Sequence, residues 1–344
     1  MTIRFGLIGA GFIGAIHARA LMDSRNASLV AVAGGQRSIG LAAEHGVDWE
    51  PSAEALLARG DIDAVIIATP HSTHLPLTLA AASMGRHVLV EKPMALNTAE
   101  CDRMITACRA AGVHLGVAHM TRFFEAMRVA RGVVDRGVLG EVRMIQGSRL
   151  VPGFDEGGWT LDPREGSEFL SWGAHGCDIV RWFMGDPTVA FGRVTSFGGG
   201  PPTGLSAMCQ FGFAGGGAAT LWQSYEIAGP LIGARARYLL VGSEAVLEIH
   251  AYGQVSISRA SGTETIFTAE GFGGPNAPMS QMGTHFRAAF RDQVDAFAAS
   301  IRDGSAPPVT GEDGRAAVGM TEAVERSSRE GRSVAMSADG GVLG

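Results

Sequence analysis

The chain reads as two successive α/β domains: a parallel sheet wound by helices on both faces, then a large, mostly antiparallel open sheet. Three observations predict this. At 344 residues the chain exceeds what one small core organises, so two domains are the natural division. Its first 120 or so residues alternate short apolar runs with segments whose apolar residues recur at helical spacing, the rhythm of strands buried on both faces. From Thr188 to Thr268 it gives strand-like runs separated by Gly-rich turns, which favours antiparallel neighbours.

Taken in order, Ile3–Ile8 is a strand, Phe12–Ser24 a helix, Ser28–Ala33 a second strand, and Ser38–His45 a short helix closed by Gly46. Ser52–Ala58 is helical, and the continuous apolar run Ala64–Ala68 is a strand. Leu75–Met84 is helical and His87–Val90 a strand. Asn97–Ala111 is a long helix, opened by the Asn97/Glu100 capping pattern and stopped by Gly112. Phe124–Val134 is then helical, Val142–Leu150 a strand and Gly173–Met184 a helix. The strand-rich stretch follows, with "FAGGGAAT" (Phe213–Thr220) as a hairpin connection. Gly271–Pro278 reads as a loop, and helices over His285–Ile301 and Gly311–Ser328 come last. The expected division is residues 1–121, 122–336 and a flexible tail over 337–344.

A formal charge of −6, with no basic run, gives no nucleic-acid footprint. Cys101, Cys108, Cys177 and Cys209 form no C-x-x-C pair and no metal-ligand spacing. No metal site is expected, and reduced thiols in a cytoplasmic protein are the plain reading. The strand begins right after Met1, which leaves a secretory signal no room. No apolar run nears the roughly 20 residues of a bilayer span. The expectation is a soluble cytoplasmic protein whose partner is a small molecule, with neither membrane nor nucleic acid.

Four strand ends carry chemistry. After the first strand, "GAGFIG" fits G-x-G-x-x-G. With 49 Gly in the chain, roughly one such pattern is expected by chance, so context decides. This one follows a strand and opens a helix, where a tight turn and a helix N-terminus accept a pyrophosphate. Gly9, Gly11, Phe12, Ile13 and Gly14 are therefore the expected cofactor contacts. The second strand ends in Gly34-Gly35-Gln36-Arg37-Ser38, without the carboxylate that would bind a ribose 2′-hydroxyl. Arg37 and Ser38 can instead hold a 2′-phosphate, which favours NADP over NAD; the plain alternative is a surface Arg beside a Ser helix cap. "ATPHSTH" sets Thr69, Pro70 and His74 at the next carboxyl end, where ligands of open α/β sheets bind. His74 can equally be a solvent-facing first-turn residue. Finally His87–Val90 runs into Glu91-Lys92-Pro93, a charged pair that a strand interior rejects. An ammonium at that edge can favour a substrate oxyanion; a solvated loop pair is the alternative.

In order, "GLIGAGFIG", "DAVIIATPHSTH", "GRHVLVEKPMALNTAE", "GVHLGVAHMTRF" and "TGEDGRAAVGMTEAVERSSREGRSV" resemble the Gfo/Idh/MocA oxidoreductase family over nearly the whole chain. The resemblance implies a Rossmann nucleotide-binding domain, then an α/β domain whose open sheet carries the substrate and often a subunit interface. Inositol-dehydrogenase-like members carry D-x-G-x-H-x-x-D on a helix of the second domain. Here "SWGAHGCD" keeps His175 and Asp178, with Ser171 in place of the first Asp and Trp172 beside it. In those relatives the Asp and His act together in proton transfer with the Lys alongside. The resemblance thus implies Lys92 and His175 as catalytic residues, and Asp178 shares a helix face with His175. Arg122 in "MTRF" fits the family's Arg-Phe position, where structural and ligand roles are both open. The long loop "RLVPGFDEGGWTLDPREGSEF" offers Arg149, Trp159 and Arg164 to a carboxylate or an aromatic ring, or to simple packing.

These residues read together as an NAD(P)-dependent dehydrogenase or reductase acting on a hydroxyl or keto group of a sugar, cyclitol or related polyol. Two other substrates are an aromatic dihydrodiol and a carboxylated ring. An NAD-dependent glycosidase and a sensor that keeps the nucleotide site without turnover are readings from other classes. An antiparallel face that its helices do not cover implies burial by a second subunit, in a homodimer or homotetramer.

Overall fold

A computed structural model describes residues 2–152, 159, 162–198, 204–227, 235–274, 283–337 and 340–343. The chain forms two compact units, Met1–Met120 with Arg287–Arg315, and Thr121–Phe286 with Ala316–Gly344.

The first unit alternates β1 (Ile3–Ile8), α1 (Phe12–Met22), β2 (Ala27–Ala33), α2 (Arg37–His45), β3 (Asp48–Glu50), α3 (Ala53–Leu57), β4 (Ala64–Ile67), α4 (His74–Ser83), β5 (His87–Val90), α5 (Thr98–Ala110) and β6 (Leu115–Val117). Its six strands are parallel, in the order β3-β2-β1-β4-β5-β6. The order reverses between β1 and β4, which opens a crevice at the strands' carboxyl ends. Apolar content on both strand faces explains the arrangement: all four residues of β4 are fully buried. Local chemistry fixes the helix ends. The side chain of Ser52 accepts from Ala55 N–H ahead of α3, and that of Asn97 from Glu100 N–H ahead of α5. Gly46 and Gly112 close α2 and α5 at φ of 65° and 68°.

Residues Arg287–Arg315 return to this unit, against the expected unbroken run from 122 to 336. The cause is apolar packing: Phe297 lies 6.3 Å from Phe5, ring to ring, and a Cβ on Gly116 would meet the Phe297 ring at 2.8 Å.

The second unit contains α6 (Glu125–Asp135), β7 (Val142–Pro152) and α7 (Ala174–Met184), the last preceded by a π-helical turn over Phe169–Gly173. There follow β8 (Val189–Thr195), β9 (Ser206–Gly212), β10 (Ala218–Ile227), β11 (Arg237–Gly242), β12 (Val246–His250), β13 (Gln254–Arg259) and β14 (Gly262–Thr268). Then come α8 (Gly283–Asp303), α9 (Gly311–Glu330) and β15 (Val334–Ala335). Nine strands form one sheet, β14-β13-β12-β11-β7-β10-β9-β8-β15. Only β7 and β10 are parallel neighbours, because a connection containing α7 separates them in sequence.

On one face α7 packs close to the sheet, and glycines make room. A Cβ on Gly176 would lie 3.0 Å from Leu221, and one on Gly147 2.6 Å from the same side chain. On the other face Met144, Phe191, Met208 and Trp222 stay 40–63% exposed. The expected flexible tail is instead paired where described: Met336 bridges Val342, and Leu343 N–H donates to Ala335 O at 3.0 Å. Of the expected loop Gly271–Pro278, residues from 275 onward lie outside the described residues.

Candidate active site

At the end of β1, Gly9 adopts φ of 107°, and a Cβ there would stand 2.2 Å from Ala68 O. A Cβ on Gly14 would stand 2.2 Å from Gly9 O. These two glycines let β1, the turn and α1 close on one another. Gly11 differs, since a Cβ there would meet nothing within 4 Å. Open space therefore faces the α1 N-terminus, which has no side-chain cap. Phe12 is 78% exposed on its first turn and Ile13 is half-buried. A backbone cradle with free space at a helix N-terminus fits a dinucleotide pyrophosphate.

Arg37 opens α2, exposed and without a hydrogen bond or ion pair among the described residues. Ser38 is corrected. It is fully buried, its hydroxyl donates to Gly35 O at 2.7 Å and accepts from Trp49 Nε1 at 2.8 Å. It shapes the loop after β2 and does not present its hydroxyl to a phosphate.

Beyond β4, Thr69 and Pro70 stay half-buried at the sheet edge, and Thr73 Oγ1 donates to Thr69 Oγ1 at 2.6 Å. His74 is a second correction. It is fully buried, with Nδ1 3.0 Å from Pro93 O and Nε2 3.0 Å from Thr69 O. Burial holds its pKa below the usual value, against the pull of the two carbonyls. The ring is a strut between the loops that follow β4 and β5, not a ligand contact.

The edge of β5 is organised around Glu91, which is 7% exposed. His17 Nε2 donates to Glu91 Oε1 at 2.8 Å, and Lys92 N–H donates to Glu91 Oε2 at 3.0 Å. Burial pushes the Glu91 carboxyl up, but the His17 bond and charge and the nearby Lys92 charge outweigh it and hold the pKa low. Glu91 is thereby a buried anion that fixes the backbone carrying Lys92. Lys92 itself is half-buried, and its bond to Pro93 is cis. His17 escaped the sequence reading, because a histidine on a helix gives no sign of which strand end it meets.

In the second unit His175 lies on the first turn of α7, 6% exposed, with Nδ1 3.3 Å from Thr121 Oγ1. The π-helical turn before it buries Ser171 and sets the Trp172 ring 6.1 Å from the imidazole. Such turns recur at functional sites. Asp178 shares the helix with His175 but is occupied elsewhere. Arg122 grips it with two bonds, Nε to Oδ2 at 2.9 Å and Nη2 to Oδ1 at 2.5 Å. Both residues are under 10% exposed, and the guanidinium lies 5.6 Å over Trp182. Asp178 and Arg122 thus form a buried ion pair, the structural one of the two roles left open for Arg122.

Arg149, near the end of β7, lies with its guanidinium 4.6 Å over the Trp172 ring. Its Nε donates to Tyr225 Oη at 2.9 Å and its Nη1 to Tyr252 Oη at 3.5 Å. Tyr238 is close enough to act on its charge. These are the only three tyrosines in the chain, and the sequence reading passed over all of them. Arg164 is corrected: its side chain is 84% exposed and pairs with Asp162 two residues away. Trp159 is 43% exposed, and its neighbours at 158, 160 and 161 lie outside the described residues. Arg149 and His175 therefore both meet Trp172, beside Ser171 in the chain, while Asp178 is paired with Arg122 and Arg164 with Asp162.

No cluster among the described residues could hold a metal ion. The described cysteines are buried and form no disulfide, and burial pushes the Cys108 and Cys209 thiols up to about 12. They are poor nucleophiles.

Residues 3–119 match the family described as "Oxidoreductase family, NAD-binding Rossmann fold", and residues 127–248 match the "GFO/IDH/MocA C-terminal domain". Inositol 2-dehydrogenase of Rhizobium meliloti is 28% identical over 98% of this chain and its own full length. A 2,7-anhydro-N-acetylneuraminate hydratase of Mediterraneibacter gnavus is 31% identical over 54% of this chain, which spans only half of that protein. The crystal structure of an oxidoreductase domain protein from Kribbella flavida superposes with a TM-score of 0.87 at 25% identity, over 97% of this chain and 99% of the other.

Proposed function

From the premise that the chain belongs to the Gfo/Idh/MocA oxidoreductase family, we propose that it is an NAD(P)-dependent dehydrogenase of a sugar, cyclitol or related polyol. The observation that carries this reading is the edge of β5. There a buried carboxylate, clamped by His17, spends itself on holding the Lys92 backbone at the carboxyl end of a nucleotide-binding sheet. Such an investment of a buried charge in positioning one ammonium suits a group that must stabilise developing negative charge.

Gly9, Gly11, Phe12, Ile13 and Gly14 hold the pyrophosphate, with Thr69 and Pro70 on the same sheet edge. The bound nicotinamide supplies the acceptor for a hydride from the substrate carbon. His175 takes the hydroxyl proton, its ring oriented by the 3.3 Å contact between Nδ1 and Thr121 Oγ1. Lys92 supplies an ammonium that stabilises alkoxide character. Ser171 stands where the inositol-dehydrogenase pattern has an acid, so the imidazole works without that carboxylate. The free Arg37 supports a 2′-phosphate contact and hence NADP. Buried thiols that form no disulfide among the described residues support a reducing, cytoplasmic setting.

The test is turnover on a panel of polyols, read by nicotinamide absorbance, in Lys92→Met and His175→Ala. Each should fall about 10²-fold or more, with nucleotide affinity nearly intact and effects far from additive in the double variant. Full activity in both single variants would remove these residues from the mechanism.

A further inference from the structure

Among the described residues Arg149 has neutral partners and no anionic one. It is half-buried, its contacts are two tyrosine hydroxyls and the face of Trp172, and no carboxylate among the described residues pairs with it. Glu168 makes its charge felt at Tyr225 without bonding to the guanidinium. A second cation is near: burial, against the pull of Tyr252, pushes the Arg235 pKa down, and the Arg149 charge adds to that. A guanidinium so placed costs free energy unless something of opposite charge completes it.

A second observation points the same way. Gln223 on β10 is the register partner of Arg149 on β7. It is 5% exposed, and its Nε2 is buried with no hydrogen-bond partner among the described residues. A buried amide donor left unsatisfied is a liability that a native site seldom keeps without cause. Arg149 and Gln223 line one open pocket, walled by Phe169, Trp172, Leu221 and Tyr238. Two neighbouring strands thus bring a charged donor and an unsatisfied amide to the lining of one cavity that, among the described residues, offers them no carboxylate. The planar guanidinium edge and a single amide suit a carboxylate, whose two oxygens each take one donor. A phosphoryl dianion would need more positive charge than this pair gives.

We propose that this pocket is a carboxylate subsite, and that the substrate is a sugar acid or carboxylated cyclitol, such as a hexuronate or an aldonate. The substrate half of this inference rests on the dehydrogenase reading; the anion subsite does not. Trp172 is the shared wall, under Arg149 on one side and 6.1 Å from the His175 ring. A carboxylate held by Arg149 would leave the hydroxyls of the same molecule one aromatic ring away, toward the imidazole.

The experiment is calorimetric titration of the full chain, loaded with reduced cofactor, with matched acid and neutral ligands. D-Glucuronate is set against D-glucose, D-galacturonate against D-galactose, and D-glucose 6-phosphate serves as the phosphate arm. At least one acid should bind about tenfold or more tightly than its neutral partner. That ratio should collapse toward one in Arg149→Met and in Gln223→Leu, and recover in part in Arg149→Lys. Gln223→Leu carries the test should Arg149→Met fail to fold. Three results would overturn the proposal: no acid preference in either pair, a stronger preference for the phosphate, or a preference that survives both substitutions. Cofactor reduction, read in parallel, separates the two readings. Selective acid binding without reduction would sink the dehydrogenase and keep the subsite; reduction by neutral polyols without acid preference would do the converse.

Discussion

Arg37 stands at the end of β2 as an exposed cation with no partner among the described residues, on a loop whose shape Ser38 and Trp49 secure from within. The division of labour makes a sharp expectation. The loop should survive Arg37→Ala, because its internal bonds do not involve that side chain. What should be lost is one charge-assisted contact to a 2′-phosphate, worth about tenfold in affinity. Fluorescence titration should therefore show tighter binding of NADPH than NADH to the native chain and near-equal binding to Arg37→Ala. Equal affinities in the native chain would return the arginine to a surface role. His74 and Asp178 teach the complementary lesson. Both are the right residue type at the right strand or helix end, and both are consumed by internal bonds. A buried ion pair such as Arg122–Asp178 costs about 3–5 kcal/mol when one partner is removed, so its loss would read as instability, not altered chemistry.

At the scale of elements, strands His87–Val90 and Ile3–Ile8 stood out in the sequence because their apolar runs end at charged or Gly-rich breaks. Strands β3, β6 and β15 did not, being two or three residues long and defined by their neighbours' hydrogen bonds. The candidate site was legible where a motif names it: the glycine turn, Glu91-Lys92-Pro93 and His175. It was illegible where separate elements converge, as when α1 brings His17 to β5, or when β7, β10 and the turn after β12 gather Arg149, Tyr225 and Tyr252. Register and packing, which single-sequence periodicity does not encode, decide those meetings.

The α1–β5 brace also sets a pH dependence. The Glu91 pKa is lower folded than its ordinary 4.5, so the unfolded chain binds the proton more readily. Its contribution is complete above about pH 4.5 and is lost as pH falls through the folded value. Replacing His17 with Leu removes the strongest of the groups that lower that pKa and leaves Lys92 alone against burial, which raises it. Thermal unfolding scanned from pH 3 to 7 should show the loss of stability in His17→Leu beginning at a higher pH than in the native chain. Superimposable acid limbs would mean that Glu91 is not held by His17.

For the whole molecule, the question is what covers the second sheet. Among the described residues no helix is long and apolar enough to cross a membrane. On the face opposite α7, Met208 and Trp222 are register partners on β9 and β10, 63% and 46% exposed, with Phe191 on β8 and Met144 on β7 nearby in the same sheet. A contiguous apolar patch in the middle of a sheet is uncommon on a monomer. A flat antiparallel face is self-complementary about a two-fold axis, which makes a second copy of the chain the simplest cover. We therefore propose a homodimer, or a homotetramer built from it, closed through this face. Light scattering at micromolar concentration should give at least twice the monomer mass. Placing like charges on paired positions, as in Met208→Lys with Trp222→Lys, should break the assembly, because each copy would then present the same positive patch to the other. The dissociated variant should unfold at a temperature lower than the native protein, and the native midpoint should rise with protein concentration, as linkage to assembly requires. A native chain that scatters as a monomer, with a midpoint indifferent to concentration, would leave the patch to a different ligand and remove the second subunit from the fold.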